Sequence, residues 1–142
     1  MVRPGTEQST VYTCEDLVES QIGSRMLASN EVAAWLERVC EREDVDVPVV
    51  TVRRAARTIL ASADGTTHSI CLRGRTVTTG TVLHELAHLT CGAGSHGVLF
   101  RDELVRLGRA HVSVEWAALL HRTFTDHGLE MSPWPASAHR RG

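Results

Sequence analysis

Three histidines and one glutamate stand at spacings that suit a metal-dependent reaction. The run His84-Glu85-Leu86-Ala87-His88 has the form H-E-x-x-H. Residues four apart share one helical face with Cβ atoms about 5–6 Å apart, so both imidazoles can reach one zinc ion at roughly 2.0–2.1 Å. Glu85 lies about 100° around the helix from His84, beside the metal rather than on it. The pattern predicts that Glu85 is a general base that takes a proton from metal-bound water.

A third ligand is expected, because catalytic zinc usually has three protein ligands and one open position for water. His96 follows His88 by eight residues, across a glycine-containing turn that can fold the chain back toward the metal. The interval differs from the metzincin pattern, in which the third histidine follows by six residues. The residues themselves leave three alternatives open: His96, or a carboxylate from a later helix, Glu103 or Glu115.

Five stretches of the chain show the apolar period of an amphipathic helix. These predicted helices run from Cys14 to near Ser29, from an N-cap at Asn30 to Asp44, from Gly80 to Gly92, from Ser95 through Leu107, and from an N-cap at Ser113 to Gly128. The expected buried face of the second helix consists of Val32, Ala33, Leu36, Val39 and Cys40. The third helix carries H-E-x-x-H, with Thr78, Thr79 or Thr81 as its cap.

The middle third of the chain is rich in β-branched residues and predicts strands. Three short strands are expected at Val47–Val52, Thr58–Ala61 and Ser69–Leu72, with a hairpin turn at Asp64-Gly65. Helices and strands together predict an α+β fold: a small, mainly antiparallel sheet packed with about five helices. We expect one domain over residues 1–142, with residues 1–12 and 131–142 loosely ordered.

The composition is that of a compact globular chain. The 142 residues are 42% apolar and 23% charged, with a net charge of −2, which predicts no dedicated nucleic-acid or anionic-membrane surface. No apolar run approaches the roughly 18–20 residues that span a bilayer, and the first residues lack the apolar core of a secretory signal. We therefore expect a cytoplasmic protein that does not associate with a membrane. Its four cysteines form no C-x-x-C pair and should be reduced.

The active segment resembles that of the SprT-like zincin proteases, whose pattern is H-E-x-x-H, a variable loop, then H-G-x-x-F. Here the second half is His96-Gly97-Val98-Leu99-Phe100. The likeness covers about residues 81–107 and extends to small bacterial proteins classed as metallohydrolases. The chain has none of the C-x-x-C pairs of the zinc ribbon that larger members carry.

The resemblance implies a zincin-like fold, a zinc ion held by His84, His88 and His96, and Glu85 as base. It implies hydrolysis of a peptide or protein substrate. In zincins a sheet edge near the active helix holds the substrate as an added strand, and residues 67–72 are the expected edge because they directly precede that helix. Asp102 and Glu103 are candidates to orient His96.

Two other classes of function compete with a peptidase. One is a metal-dependent hydrolase of a non-peptide substrate, such as a nucleic acid. The other is a non-catalytic binding module that zinc merely stabilises, which would require a fourth protein ligand. Cys91 is the nearby thiol that could supply it. The candidates for stabilising an oxyanion are His68, His111, His121 and His127.

Overall fold

The computed structural model describes residues 4–53 and 61–134. The described elements, in chain order, are α1 (Pro4–Gln21), β1 (Met26–Ala28), a 3-10 turn (Ser29–Glu31), α2 (Val32–Glu43), β2 (Val49–Arg53), β3 (Ala61–Asp64), β4 (Ser69–Arg73), β5 (Thr76–Thr78), α3 (Thr79–Cys91), α4 (Val98–His111) and α5 (Val114–Asp126). The predicted α+β class and the five helices are confirmed in this part of the chain. The chain divides into two compact units: residues 25–92, here the sheet unit, and residues 1–24 with 93–142, here the helical unit.

The sheet unit contains two small sheets. One is the antiparallel pair β1–β5; the other has the strand order β2-β4-β3. The predicted hairpin is confirmed, since β3 and β4 are antiparallel and Asp64 pairs with Ser69. The expectation of mainly antiparallel strands agrees with two of the three described pairings, but the larger sheet is mixed, because β2 runs parallel to β4. The strand predicted at Thr58–Ala61 falls mostly outside the described residues.

Strand β4 is the central strand of the larger sheet, with β2 on one side and β3 on the other. The expectation that residues 67–72 form a free edge is therefore wrong. Adjacency in sequence to α3 suggested an edge, but pairing order depends on contacts between segments that are distant along the chain.

Helix α2 has the predicted apolar face with one exchange. Val32, Leu36 and Cys40 are buried as expected, but Trp35 is buried and Ala33 is exposed. A tryptophan side chain removes far more apolar surface from water than an alanine, so the helix turns its larger residue inward.

Helix α3 is the best-buried helix of the sheet unit. Eight of its residues are buried, and the helix contacts β3 and β5. The hydroxyl oxygen of Thr78 accepts a hydrogen bond from the backbone N–H of Thr81 at 3.1 Å, which confirms Thr78 among the predicted caps. Gly92 ends the helix with φ at 71°, in the left-handed region that glycine adopts without strain. Both ends of the helix that carries His84 are thus fixed locally.

The helical unit contains α1, α4 and α5. Helix α1 begins at Pro4 and ends at Gln21, where the sequence predicted a loose lead-in followed by a helix from Cys14 to near Ser29. Proline suits the first turn of a helix because the N–H groups there have no intrahelical acceptor. The segment after Gln21 leaves the helix at Gly23, whose φ is 78°, and residues 26–28 form β1 instead.

Helices α4 and α5 pack on each other, and a glycine of α4 lies at their contact. The hydroxyl of Ser113 accepts a hydrogen bond from the N–H of Trp116 at 3.0 Å, so the predicted N-cap of α5 is confirmed. Trp116 is buried against Gly108 of α4. A Cβ atom at position 108 would lie 2.2 Å from the Cζ3 atom of that indole. The absence of a side chain at 108 therefore sets how closely the two helices approach.

The substitution Gly108→Ala should destabilise the protein. Overpacking of a well-packed contact costs about 1–3 kcal/mol, which exceeds the roughly 1 kcal/mol that alanine gains over glycine within a helix. Urea unfolding should show a lower free energy of unfolding. The matched control is Gly65→Ala, because no atom lies within 4 Å of a Cβ there, and it should change stability by less than about 0.5 kcal/mol. Equal stability of the two variants would contradict the packing argument.

Two buried thiols should make stability depend on alkaline pH. Burial raises the pKa of Cys14 and of Cys40 from 9.0 to about 11. The folded chain keeps these protons at a pH where the unfolded chain releases them, so the stabilisation is complete below pH 9 and is lost as the pH rises from 9 through 11. Between these pH values, wild type should lose more stability than the Cys14→Ala/Cys40→Ala variant. Equal losses would show that these thiols do not titrate as argued.

Candidate metal centre

Two of the three predicted ligands lie on one face of α3. His84 and His88 are one helical turn apart, and their ring centroids are separated by 5.1 Å. His84 is only 2% exposed, whereas His88 is partly exposed. The two imidazoles, one buried and one partly exposed, thus lie side by side on the helix as a pair of candidate ligands.

Glu85 is buried beside this pair. Its side chain is 6% exposed, although it is a carboxylate on a helix whose neighbouring positions are apolar. Transfer of an ionised carboxylate out of water is costly unless the group has polar or charged neighbours. The structure therefore places the predicted base, buried, on the same helix as two of the predicted ligands.

His96 lies between α3 and α4, two residues before α4 begins. Its side chain is 9% exposed. The imidazole packs against Phe100, with ring centroids 5.0 Å apart, and against Tyr12 of α1, at 5.5 Å. Its backbone carbonyl accepts a hydrogen bond from Nη1 of Arg101 at 2.7 Å. Side chain and backbone of this histidine are therefore both held.

The three histidines form a cluster that could hold a metal ion. Each offers one ring nitrogen, and these nitrogens all lie within 4.8 Å of one another. Two nitrogens bound to one tetrahedral zinc at about 2.0–2.1 Å are roughly 3.4 Å apart, so modest side-chain rotations bring this set to ligand distance. Neutral imidazole is a common ligand for zinc and other first-row transition metals. The donor set therefore fits a transition-metal ion with three protein ligands.

The carboxylates proposed as alternatives lie elsewhere. Glu103 forms an ion pair with Arg106, whose Nε is 2.9 Å from Oε1. Glu115 is exposed in the first turn of α5. Among the described residues, the ligand cluster contains neither of them, nor the thiol of Cys91. Of the three alternatives that the spacing left open, the structure brings His96 to His84 and His88.

The sequence predicts Asp102 and Glu103 as candidates to orient His96, and the structure shows a further neighbour, Arg101, bound to the His96 backbone. Asp102 accepts hydrogen bonds from the N–H and the hydroxyl of Ser132, whereas Arg101 is the residue that binds the His96 backbone. A signal for Arg101 existed: Leu104 and Val105, three and four residues later, are apolar, so position 101 falls on the buried face of α4.

The contact between Tyr12 and His96 was not predicted, because residues 1–12 were expected to be a loose lead-in.

The four histidines proposed for oxyanion stabilisation gain little support. His68 contacts the carbonyl of Asp46 through Nε2, and His121 and His127 contact the carbonyls of Ser132 and Thr123. Each of these three rings already has a backbone partner.

Comparison of the chain with protein families, with curated proteins and with solved structures finds no match. The likeness to SprT-like zincins therefore remains a prediction that the motif alone carries. None of the described helices has both the length and the apolar character needed to cross a membrane.

We predict about one equivalent of zinc per chain of purified protein, held by the three histidines. His84→Ala, His88→Ala and His96→Ala should each lose most of it, because each variant removes one of three ligands. Glu115→Ala should retain it. Elemental analysis of variants whose circular dichroism matches wild type measures the zinc content. A full equivalent of zinc in a histidine variant, or loss of zinc from Glu115→Ala, would show that the metal site lies elsewhere.

Proposed function

We propose that this protein is a zinc-dependent hydrolase, of the peptidase type, with a zincin-like arrangement of its active helix. The observation that carries the proposal is the cluster of His84, His88 and His96 together with Glu85, a buried carboxylate directly after the first histidine. Three imidazole ligands leave a fourth position of tetrahedral zinc free. That count favours a catalytic site over a structural one, which would need a fourth protein ligand.

The three histidines would hold the ion, each through one neutral ring nitrogen. When bound, zinc would supply Lewis acidity: it would polarise a carbonyl oxygen and lower the pKa of bound water to about 7. Because zinc binding requires deprotonated imidazoles, the affinity of the site should fall in acid.

Glu85 would move the proton. It stands next to His84 on a helix that is capped at both ends, so its carboxylate has a fixed position relative to the ligands. It is not one of the three clustered ligands, which leaves it available as a base. It would accept a proton from the attacking water and deliver that proton to the leaving amine.

A peptide substrate is favoured by strand β3. This strand contacts α3 and pairs on one side with β4, and no other described strand pairs with it. An extended peptide could add to β3 through backbone hydrogen bonds, which would lay its carbonyl groups along the active helix. This strand takes the place that the sequence had assigned to residues 67–72.

The substitution Glu85→Gln separates catalysis from structure. Glutamine keeps the shape of the side chain and removes its basicity, so the variant should bind zinc and unfold near the wild-type midpoint. Hydrolysis should fall by about 10²–10⁴-fold, as expected for loss of a general base. The matched control is Glu37→Gln, at an exposed position of α2, and it should keep wild-type turnover.

The assay can begin with casein, an unstructured protein substrate. If casein is not cleaved, a library of peptides extends the search. Zinc content and unfolding are measured on the same samples. Loss of zinc or of folding in Glu85→Gln would assign the glutamate a structural role. Wild-type turnover in that variant would refute the mechanism, and cleavage of only non-peptide esters or phosphodiesters by wild type would favour the other class of hydrolase.

A further inference from the structure

Arg101 is a buried cation that the proposed reaction does not use. It lies on the apolar face of α4, and its side chain is only 3% exposed. Its Nε atom has no hydrogen-bond partner among the described residues. An unpaired buried N–H lowers stability, and a well-packed apolar residue would avoid that cost. We therefore look for the reason for an arginine at this position in the contacts of its two Nη atoms.

Those donors join three segments of the helical unit. Nη1 donates to the carbonyl oxygen of His96 at 2.7 Å, and Nη2 donates to the carbonyl oxygen of Glu130 at 2.7 Å. Nη1 also lies 3.3 Å from a carboxylate oxygen of Glu7 in α1. The Arg101 side chain thus links α1, the segment before α4 and the segment after α5.

The carbonyl of His96 is the contact that matters for the metal centre. His96 stands in the connection between α3 and α4, where Gly92, Gly94 and Gly97 give the backbone wide freedom. A ligand on such a segment reaches the metal only if its backbone is fixed, since the imidazole has just two rotatable bonds of its own. The hydrogen bond from Arg101 fixes that backbone one bond away from the Cα of the ligand.

We infer that Arg101 is a positioning residue for the third ligand: it holds the backbone of His96 so that the imidazole is presented to the metal. Through Glu7 and Glu130 it also makes this placement depend on α1 and on the segment after α5. The inference rests on the proposed zinc site, and it adds to that site a residue that touches neither metal nor substrate.

Arginine suits this position and lysine does not. The planar guanidinium directs its two Nη atoms at two carbonyl oxygens at once and still faces the Glu7 carboxylate. A lysine ammonium is a single point charge that can satisfy the carboxylate and one carbonyl, and it leaves the other without its donor. Arg101→Lys therefore keeps the positive charge but cannot donate to both carbonyl oxygens and the carboxylate at once.

The test compares zinc affinity with stability in four variants. Competition with a chromogenic chelator should show that Arg101→Gln raises the Kd for zinc about tenfold or more, in the range seen for groups that orient metal ligands. Arg101→Lys should give a smaller rise, and Glu7→Gln, which keeps both carbonyl hydrogen bonds, a smaller one still. Ser113→Ala loses the N-cap of α5 and should lower the urea midpoint of the zinc-free protein while the Kd stays within about twofold of wild type.

Two results would overturn the inference. One is an unchanged Kd in a folded Arg101 variant. The other is a rise in Ser113→Ala as large as in Arg101→Lys, which would show that zinc affinity follows general stability. If Arg101→Gln does not fold, the Kd values for zinc of Arg101→Lys and Glu7→Gln decide whether the inference holds.

A measurement without metal separates this inference from the proposed function. In the zinc-free protein, the imidazole ¹H–¹³C signal of His96, assigned with His96→Gln, should be single and sharp in wild type and broadened or doubled in Arg101→Lys. Failure of wild type to bind zinc would refute the proposed function, and these signals would still decide whether Arg101 orders His96. Identical His96 signals in both proteins would overturn the positioning role.

Discussion

The burial of α3 is the constraint on which the candidate site depends. Six consecutive residues of this helix, 82–87, are buried, so it is enclosed on all sides, and rotation about its axis would disrupt the packing of Val82, Leu83 and Leu86. The orientation of His84 and His88 follows from that restriction, as does the position of Glu85. The polar residues are thus placed by their apolar neighbours. Preorganisation of this kind is what a metal site or a general base requires, since both act through fixed geometry.

His96 reaches the cluster under a different constraint. Its segment is short and rich in glycine, so regular secondary structure does not orient it. Packing against Phe100 and Tyr12 fixes the ring, and the guanidinium of Arg101 fixes the carbonyl. Two ligands are therefore positioned by hydrophobic burial and the third by aromatic packing and a charge-assisted hydrogen bond. The two kinds of restraint should respond differently to substitution, because hydrophobic burial is distributed over many residues and the hydrogen bond is not.

What the sequence predicted well was local. The helix over residues 79–91, the caps Thr78 and Ser113 and the hairpin at Asp64-Gly65 involve residues within a few positions of each other, where local backbone geometry decides the outcome. The failures involve distant contacts. The parallel pairing of β2 with β4 depends on strand order, which no local pattern records. The apolar face of α4 indicates that Arg101 is buried, but two of its partners, Glu7 and Glu130, are far away along the chain, and no local pattern identifies them.

The difference between a zinc enzyme and a zinc-stabilised module comes down to the fourth coordination position. A structural site fills that position with a protein donor, and a catalytic site leaves it to solvent. Cys91 is the thiol nearest in sequence, yet the described cluster consists of three imidazoles without it. Glu85 is buried and is not a member of the cluster, so in the proposed mechanism it is placed to act on a water in the open coordination position. The number of clustered donors and the position of Glu85 next to His84 are thus the two observations that favour the proposed catalytic site over a structural one.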